Sequence, residues 1–211
     1  WLSTGDGVFR RREGELGRVR FWKNQPFQGF SAMHRDSRGT LWIGGLFGGL
    51  FRYREGTLRR VLSPESFDGT GVLALHHSSD GTLWIGTGGK GVARYRNGSL
   101  TWYGRDDGVP YGRVRDIHET SDGAIWIATY GGGIARFEDA ASGTSFTPVT
   151  PVDGLPTGAI HTIYEAPEGI FWMTSNGGVF RVPRSQVEAA AGSENVGDVG
   201  TITVKRRVKR T

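Results

Sequence analysis

The stretch WIATYGGGIAR (126–136) recurs along the whole chain. Before it the text reads WLSTGDGVFR (1–10), WIGGLFGGLFR (42–52) and WIGTGGKGVAR (84–94); after it, WMTSNGGVFR (172–181). The tryptophans Trp1, Trp42, Trp84, Trp126 and Trp172 are therefore spaced 41, 42, 42 and 46 residues apart. Gly39, Gly81, Gly123 and Gly169 each lie three residues before one of them, and Arg10, Arg52, Arg94, Arg136 and Arg181 close the units. A self-similar period of this length marks a stacked-repeat architecture.

Within one period the text divides into four short strands. VRDIHE (114–119) and VLALHH (72–77) alternate apolar and mixed residues. A D-G pair follows, Asp122-Gly123 or Asp80-Gly81, which is a strong hairpin signal because both positions tolerate positive φ. IWIAT (125–129) and LWIGT (83–87) supply second strands, GIARFE (133–138) and GVARYR (91–96) third strands, and SFTPVT (145–150) and SLTWYG (99–104) fourth strands. Four strands in about 42 residues, without a 3.6-residue apolar period, predict an all-β chain of four-stranded antiparallel propeller blades. The tryptophan is a large flat filler between neighbouring sheets, and the glycines allow turns and close backbone approach.

About five blades are expected over residues 1–182. They are a partial blade at 1–25, blades at 26–66, 68–106 and 107–151, and a last one at 153–182 with three clear strands. Residues 183–211 read as a short helix, a loop and a final basic strand, GTITVKRRV (200–208). That strand suits either the outer edge of blade five or the missing inner edge of blade one. The unequal ends favour a fragment of a larger propeller over a closed five-bladed ring.

Composition narrows the function. The 211 residues include 35 glycines but no three-residue glycine period, which excludes collagen, and 11% aromatics argue for a packed core. No cysteine is present, which removes disulfides, thiolate metal sites and cysteine nucleophiles. No apolar run approaches the ~18 residues of a membrane helix. The net charge of +5 comes from Lys205, Arg206, Arg207, Lys209 and Arg210; the rest of the chain is neutral. A body without a basic field is not expected to bind nucleic acid.

DGVPYGRVRDIHETSDGAIWIATYGGGIARF (107–137) and DGLPTGAIHTIYEAPEGIFWMTSNGGVFRV (153–182) resemble repeats of the two-component regulator propeller family. They carry its D-G-[LV]-P opening, V-x-x-I strand, D-G turn and W-I-[GA]-T loop, and the likeness extends over nearly all of 1–182. The resemblance implies a sensory propeller, usually periplasmic, in a bacterial membrane receptor. It implies as partners further blades, a β-sandwich linker and an output histidine kinase or diguanylate cyclase. The helix-like insert at 185–191 also resembles late blades of such propellers.

Propeller geometry puts second-to-third and fourth-to-first connections on one face. Binding residues are expected where these loops vary between copies: Phe47, Lys90, Tyr130 and Asn176 in the former, Tyr111 and Arg113 in the latter, with Asn24, Gln25 and Thr157 beside them. Arg115 and His161 hold equivalent places at the start of first strands. Aromatic faces, cations and amides suit an oligosaccharide or peptide. His34, His76 and His118 sit eight residues before their tryptophans, with Tyr164 in blade five. No carboxylate accompanies them at a fixed offset, so they are expected to bond locally and not to hold a metal. Asp107 and Asp153 open their turns by accepting backbone N–H bonds, with Asp68 a degraded copy. The arginines that close the units are expected on outer strands, paired with backbone or carboxylates.

No nucleophile–base pair, G-x-S-x-G or metal spacing occurs, and no cofactor is expected. The leading expectation is a non-catalytic sensor that binds a small ligand, with pairing of two copies as a further partner expectation. The alternatives are a lyase resembling streptogramin lyase, which needs a histidine with a partner at the channel mouth, or a protein-docking scaffold.

Overall fold

The structure is a computed structural model. It describes residues 1–4, 7–19, 29–140, 143–192 and 205–206. Five antiparallel sheets follow one another along the chain. Blade one holds β1 (Leu2–Thr4), β2 (Gly7–Arg12) and β3 (Glu15–Arg18). Blade two holds β4 (Phe30–Arg35), β5 (Leu41–Gly45), β6 (Leu50–Arg54) and β7 (Thr57–Leu62). Blade three holds β8 (Val72–His77), β9 (Leu83–Thr87), β10 (Val92–Arg96) and β11 (Ser99–Tyr103). Blade four holds β12 (Val114–Glu119), β13 (Ile125–Thr129), β14 (Ile134–Ala140) and β15 (Gly143–Val149). Blade five holds β16 (Ile160–Ala166), β17 (Ile170–Ser175), β18 (Gly178–Pro183) and β19 (Lys205–Arg206).

β19 pairs with β18, Lys205 opposite Arg181 and Arg206 opposite Phe180. The described part of the basic segment is therefore the outer edge of blade five. Asn24, Gln25 and the rest of the tail lie outside the described residues. Helix α1 (Arg184–Gly192) runs between β18 and β19. Its Val187, Ala190 and Ala191 pack into the core shared by blades four and five.

The core lies between blades. Trp84 meets Phe137 of the next blade at 4.7 Å, with Tyr103 and Phe146 closing the cluster. Trp126 does the same against Phe171. Trp84 and Trp126 are buried, at 2% and 0% exposure, whereas Trp1, in blade one, is 37% exposed. Among the described residues no ladder and no apolar cluster joins blade five to blade one, so the blades form an open arc, a partial propeller.

The recurring text has local physical reasons. Gly39, Gly81, Gly123 and Gly169 all have positive φ in their turns. Asp107 accepts the Gly104 N–H at 2.8 Å and Asp153 the Thr150 N–H at 2.7 Å, each fixing a 3₁₀ turn between blades. The repeat arginines lie on third strands, one position inside the blade edge, and not on outer strands as the pattern suggests. From there Arg94 reaches Asp139 of the next blade, while Arg136 pairs with Glu138.

Candidate functional site

The second-to-third loops and the entries to first strands do share one face. Tyr130 N–H donates to the Arg113 carbonyl at 3.0 Å, and Gly133 N–H to the Gly158 carbonyl at 2.8 Å. In blades three to five each loop is pinned by the residue three places after the repeat tryptophan, Thr87, Thr129 or Ser175. Thr129 Oγ1 donates to the Gly133 carbonyl at 2.9 Å and accepts from Gly132 N–H at 3.1 Å. Thr87 repeats this with Gly91 and Lys90, and Ser175 with Gly178 and Gly177. That threonine is legible in the motif, but its role as a loop pin is a three-dimensional fact.

A second device builds the face. Every complete inner strand carries a register break near its start: between Phe30 and Ala32, Val72 and Ala74, Val114 and Asp116, and Ile160 and Thr162. The skipped residues are Ser31, Leu73, Arg115 and His161. A bulge re-aims the side chain it carries. In the first copy Ser31 Oγ is spent on the Val72 carbonyl. In the last two, the bulge delivers Arg115 and His161 to one aromatic ring.

That ring is Tyr130, 37% exposed. The Arg113 guanidinium lies 5.1 Å from its centroid, the Arg115 guanidinium 5.9 Å, and the His161 ring 5.6 Å. His161 Nε2–H donates to Asn176 Oδ1 at 2.7 Å, and Asn176 Nδ2 donates to Tyr130 Oη at 3.5 Å. His161 Nδ1 is buried without a partner. Five expected residues, from blades four and five and the entry to blade four, thus form one cluster of a phenol, two cations, an imidazole and an amide. Cations over a ring face leave their N–H groups free for acceptors, and the ring offers an apolar platform.

Tyr111 is adjacent. A Cβ at Gly131 would touch its ring at 3.1 Å, so this glycine lets Tyr111 lie against the Tyr130 loop. Tyr111, Arg113, Gly88 and Lys90 also line a neighbouring hollow of about 400 Å³. Lys90 itself is committed elsewhere: Nζ pairs with Asp68 at 2.5 Å and lies 4.3 Å from the Trp102 centroid. It locks blade three to the preceding connection. Phe47 is 56% exposed and stands apart from the Tyr130 cluster. Thr157 is a turn residue that accepts Ala159 N–H at 3.1 Å.

The aligned histidines gather on the opposite face. The His34 and His76 rings lie 5.3 Å apart, and His76 Nε2 is 3.1 Å from Glu119 of the next blade. So a carboxylate does accompany one histidine, across a blade boundary where no sequence offset shows it. Glu119 also accepts Ser79 N–H at 3.0 Å, and its carboxyl is held below the usual range: burial opposes this, but the Ser79 and His76 hydrogen bonds prevail. Burial, then the His76 and His77 charges, push His34 down to about 4. Burial likewise lowers His118, whose Nε2 has no partner. Among the described residues no group of three or more His, Asp or Glu could hold a metal ion.

Comparison with known proteins agrees with this architecture. Residues 108–131 match the two component regulator propeller family model. No curated protein matches the chain in sequence. Among solved structures, the extracellular domain of BT3049, assigned to a hybrid two component system of B. thetaiotaomicron, superposes with a TM-score of 0.63 at 21% identity. The match covers 82% of this chain and 27% of that one. Virginiamycin B lyase from Staphylococcus aureus gives a TM-score of 0.65 at 15% identity, over 93% of this chain and 61% of the lyase. A streptogramin B lyase gives 0.64 at 18%, over 94% and 60%. At such identities these likenesses establish the fold. The chain spans about a quarter of the BT3049 domain and about three fifths of the lyases. Around Trp126 the chain thus matches the two component regulator propeller repeat over residues 108–131, and it sets that unit within an arc of similar blades.

Proposed function

We propose that this chain is a non-catalytic, ligand-binding part of an extracytoplasmic bacterial sensor. The observation that carries the reading is the Tyr130 cluster, where Arg113, Arg115, His161 and Asn176 converge on one partly exposed ring. An aromatic platform with hydrogen-bonding groups at its rim suits an oligosaccharide or a peptide. The family match and the extracellular two-component neighbour BT3049 support a sensor on the periplasmic side of the inner membrane. In that setting the partners are further blades, a β-sandwich linker, an output kinase or cyclase, and a second copy. A lyase reading draws on the streptogramin lyase neighbours, but it asks for an acid–base pair, and His161 bonds an amide instead.

The test is a thermal-shift and calorimetric screen of oligosaccharides and peptides. One ligand class is expected to raise the melting midpoint of the wild type, and Tyr130→Ala or Arg113→Ala to abolish that rise. A shift that survives both substitutions places the ligand elsewhere and overturns the assignment. Chemical turnover of any bound ligand overturns the non-catalytic reading.

A further inference from the structure

The loop face beside Tyr130 carries positive charge that the fold does not balance. The hollow of about 400 Å³ next to the cluster is lined by five glycines, Tyr111, Lys90, Arg105 and Arg113, with no carboxylate among these described residues. Asp68 neutralises Lys90. Arg105, Arg113 and Arg115 make no ion pair and no side-chain hydrogen bond among the described residues. Of the two acids that follow Arg105, Asp107 is spent on the Gly104 N–H, and Asp106 is exposed outside the lining. Elsewhere in blades three to five, Arg94, Arg96, Arg136 and Arg184 each meet a carboxylate. Three unpaired guanidinia around one hollow, in a chain that is neutral outside its basic tail, make a local positive field.

Two of these cations are also held in place. Arg113 and Arg115 lie 5.1 and 5.9 Å from the Tyr130 centroid. A planar guanidinium resting against an aromatic ring gives up less freedom when it meets an anion. Arg113 belongs to both places, since it rests on Tyr130 and lines the hollow. The floor of the hollow is bare backbone: a Cβ at Gly112 would overlap the Gly89 carbonyl oxygen. Tyr111, 38% exposed, is the aromatic wall. No aliphatic side chain is among the described lining residues, so the hollow offers no seat for the apolar side chains of a peptide. A flat aromatic, open backbone and a charged rim suit a sugar ring instead.

We propose that the hollow and the Tyr130 cluster together bind an acidic oligosaccharide, with a uronate residue lying along Tyr111, its carboxylate on Arg113, and Arg105 and Arg115 adding their charge. The inference rests on the ligand-binding reading above and narrows it to a sugar that carries a carboxylate. A guanidinium fork matches the two oxygens of a carboxylate, and such charge-assisted hydrogen bonds are roughly twice as strong as neutral ones. A neutral sugar would leave all three cations without a counter-charge.

The test is calorimetric titration of the chain with galacturonate and glucuronate trimers, with their methyl esters, and with triglutamate. At least one trimer is expected to bind saturably, and its methyl ester at least about tenfold more weakly, as loss of a charged hydrogen bond does. Arg113→Gln should weaken the acid by a similar factor and leave the ester's affinity as it is. Arg113 is exposed, so the variant should fold, and an unaltered melting midpoint checks this. Arg96→Gln, at the Asp80 turn on the opposite face, should leave both affinities unchanged. Failure of both trimers to bind, equal affinity for acid and ester, or an acid affinity that Arg113→Gln does not change overturns the proposal. Tighter binding of triglutamate also overturns it and transfers the site to peptides. The ligand-binding reading survives these outcomes where an ester, a neutral sugar or a peptide binds and Tyr130→Ala abolishes that binding; it falls with the proposal where none binds.

Discussion

The Trp126 indole stands edge-on to Phe171, ring centroids 5.4 Å apart and planes at 81°, so the filler of blade four is completed by the second strand of blade five. Both side chains are fully buried. The contact joins residues 45 positions apart, and it shows how the repeat works: each blade buries its tryptophan with the blade that follows. Trp126→Ala is expected to cost about 3–5 kcal/mol, as truncation of a buried aromatic does. Trp172→Ala, on the open side and covered by Arg181 at 5.6 Å, is expected to cost clearly less. Urea unfolding midpoints of the two variants check the order.

Gly108 tests the D-G-[LV]-P opening. Its φ is +83°, and a Cβ there would overlap the Phe146 carbonyl oxygen. Strain and clash act together, so Gly108→Ala is expected to lose about 2 kcal/mol or more. Gly98 also has positive φ, at +86°, but nothing lies within 4 Å of its added Cβ. Gly98→Ala should carry the conformational cost alone. Comparing their thermal midpoints separates the two effects.

The blade pattern was readable because each strand and turn is a local object. VLALHH (72–77), LWIGT (83–87) and IWIAT (125–129) coincide with β8, β9 and β13. The site was readable only in part. Arg113, Arg115, Tyr130, His161 and Asn176 could be placed on one face by topology. That they meet depends on the bulges at Arg115 and His161, which no residue type announces. Lys90 has the same sequence credentials as Tyr130, yet Asp68 and Trp102 claim it. Glu119 and His76 are 43 residues apart in separate copies, so no offset within one repeat could pair them.

Arg184 offers a pH-dependent test. At the start of α1 its guanidinium contacts Glu165 at 2.8 Å, Glu188 at 2.7 Å, and Asp122. Burial opposes its charge, but these carboxylates hold the guanidinium firmly protonated. In return Glu165 is held below the usual range against its own burial. Asp122 is held down to about 2, first by Thr120 and then, against some burial, by Arg184. Depressed carboxylates contribute stability above their ordinary values, about pH 4, and lose it as pH falls through the folded values. Breaking the partly buried Arg184–Glu165 pair by Arg184→Met should cost about 1–2 kcal/mol near neutrality. The gap between wild type and variant should then close as the solution is acidified below about pH 4. Urea midpoints across that range check it, and a gap constant with pH would mean that α1 docks through its apolar face alone.

Asp116 should behave in the opposite sense. It lies on inner strand β12 and accepts Ile163 N–H at 2.9 Å from the next blade. Burial raises its carboxyl above the ordinary value, despite the backbone N–H groups of Ile163 and Ile117 and the nearby His76. A raised carboxylate favours the fold while protonated, and stability declines as pH climbs from the ordinary value through the folded one. Asp116→Asn keeps an oxygen for Ile163 and removes the buried charge. The variant is expected to match the wild type in acid and to be more stable at neutral pH. A variant less stable at neutral pH would show instead that the blade interface depends on the charge itself, with the ionised carboxylate holding the Ile163 N–H more tightly than an amide can.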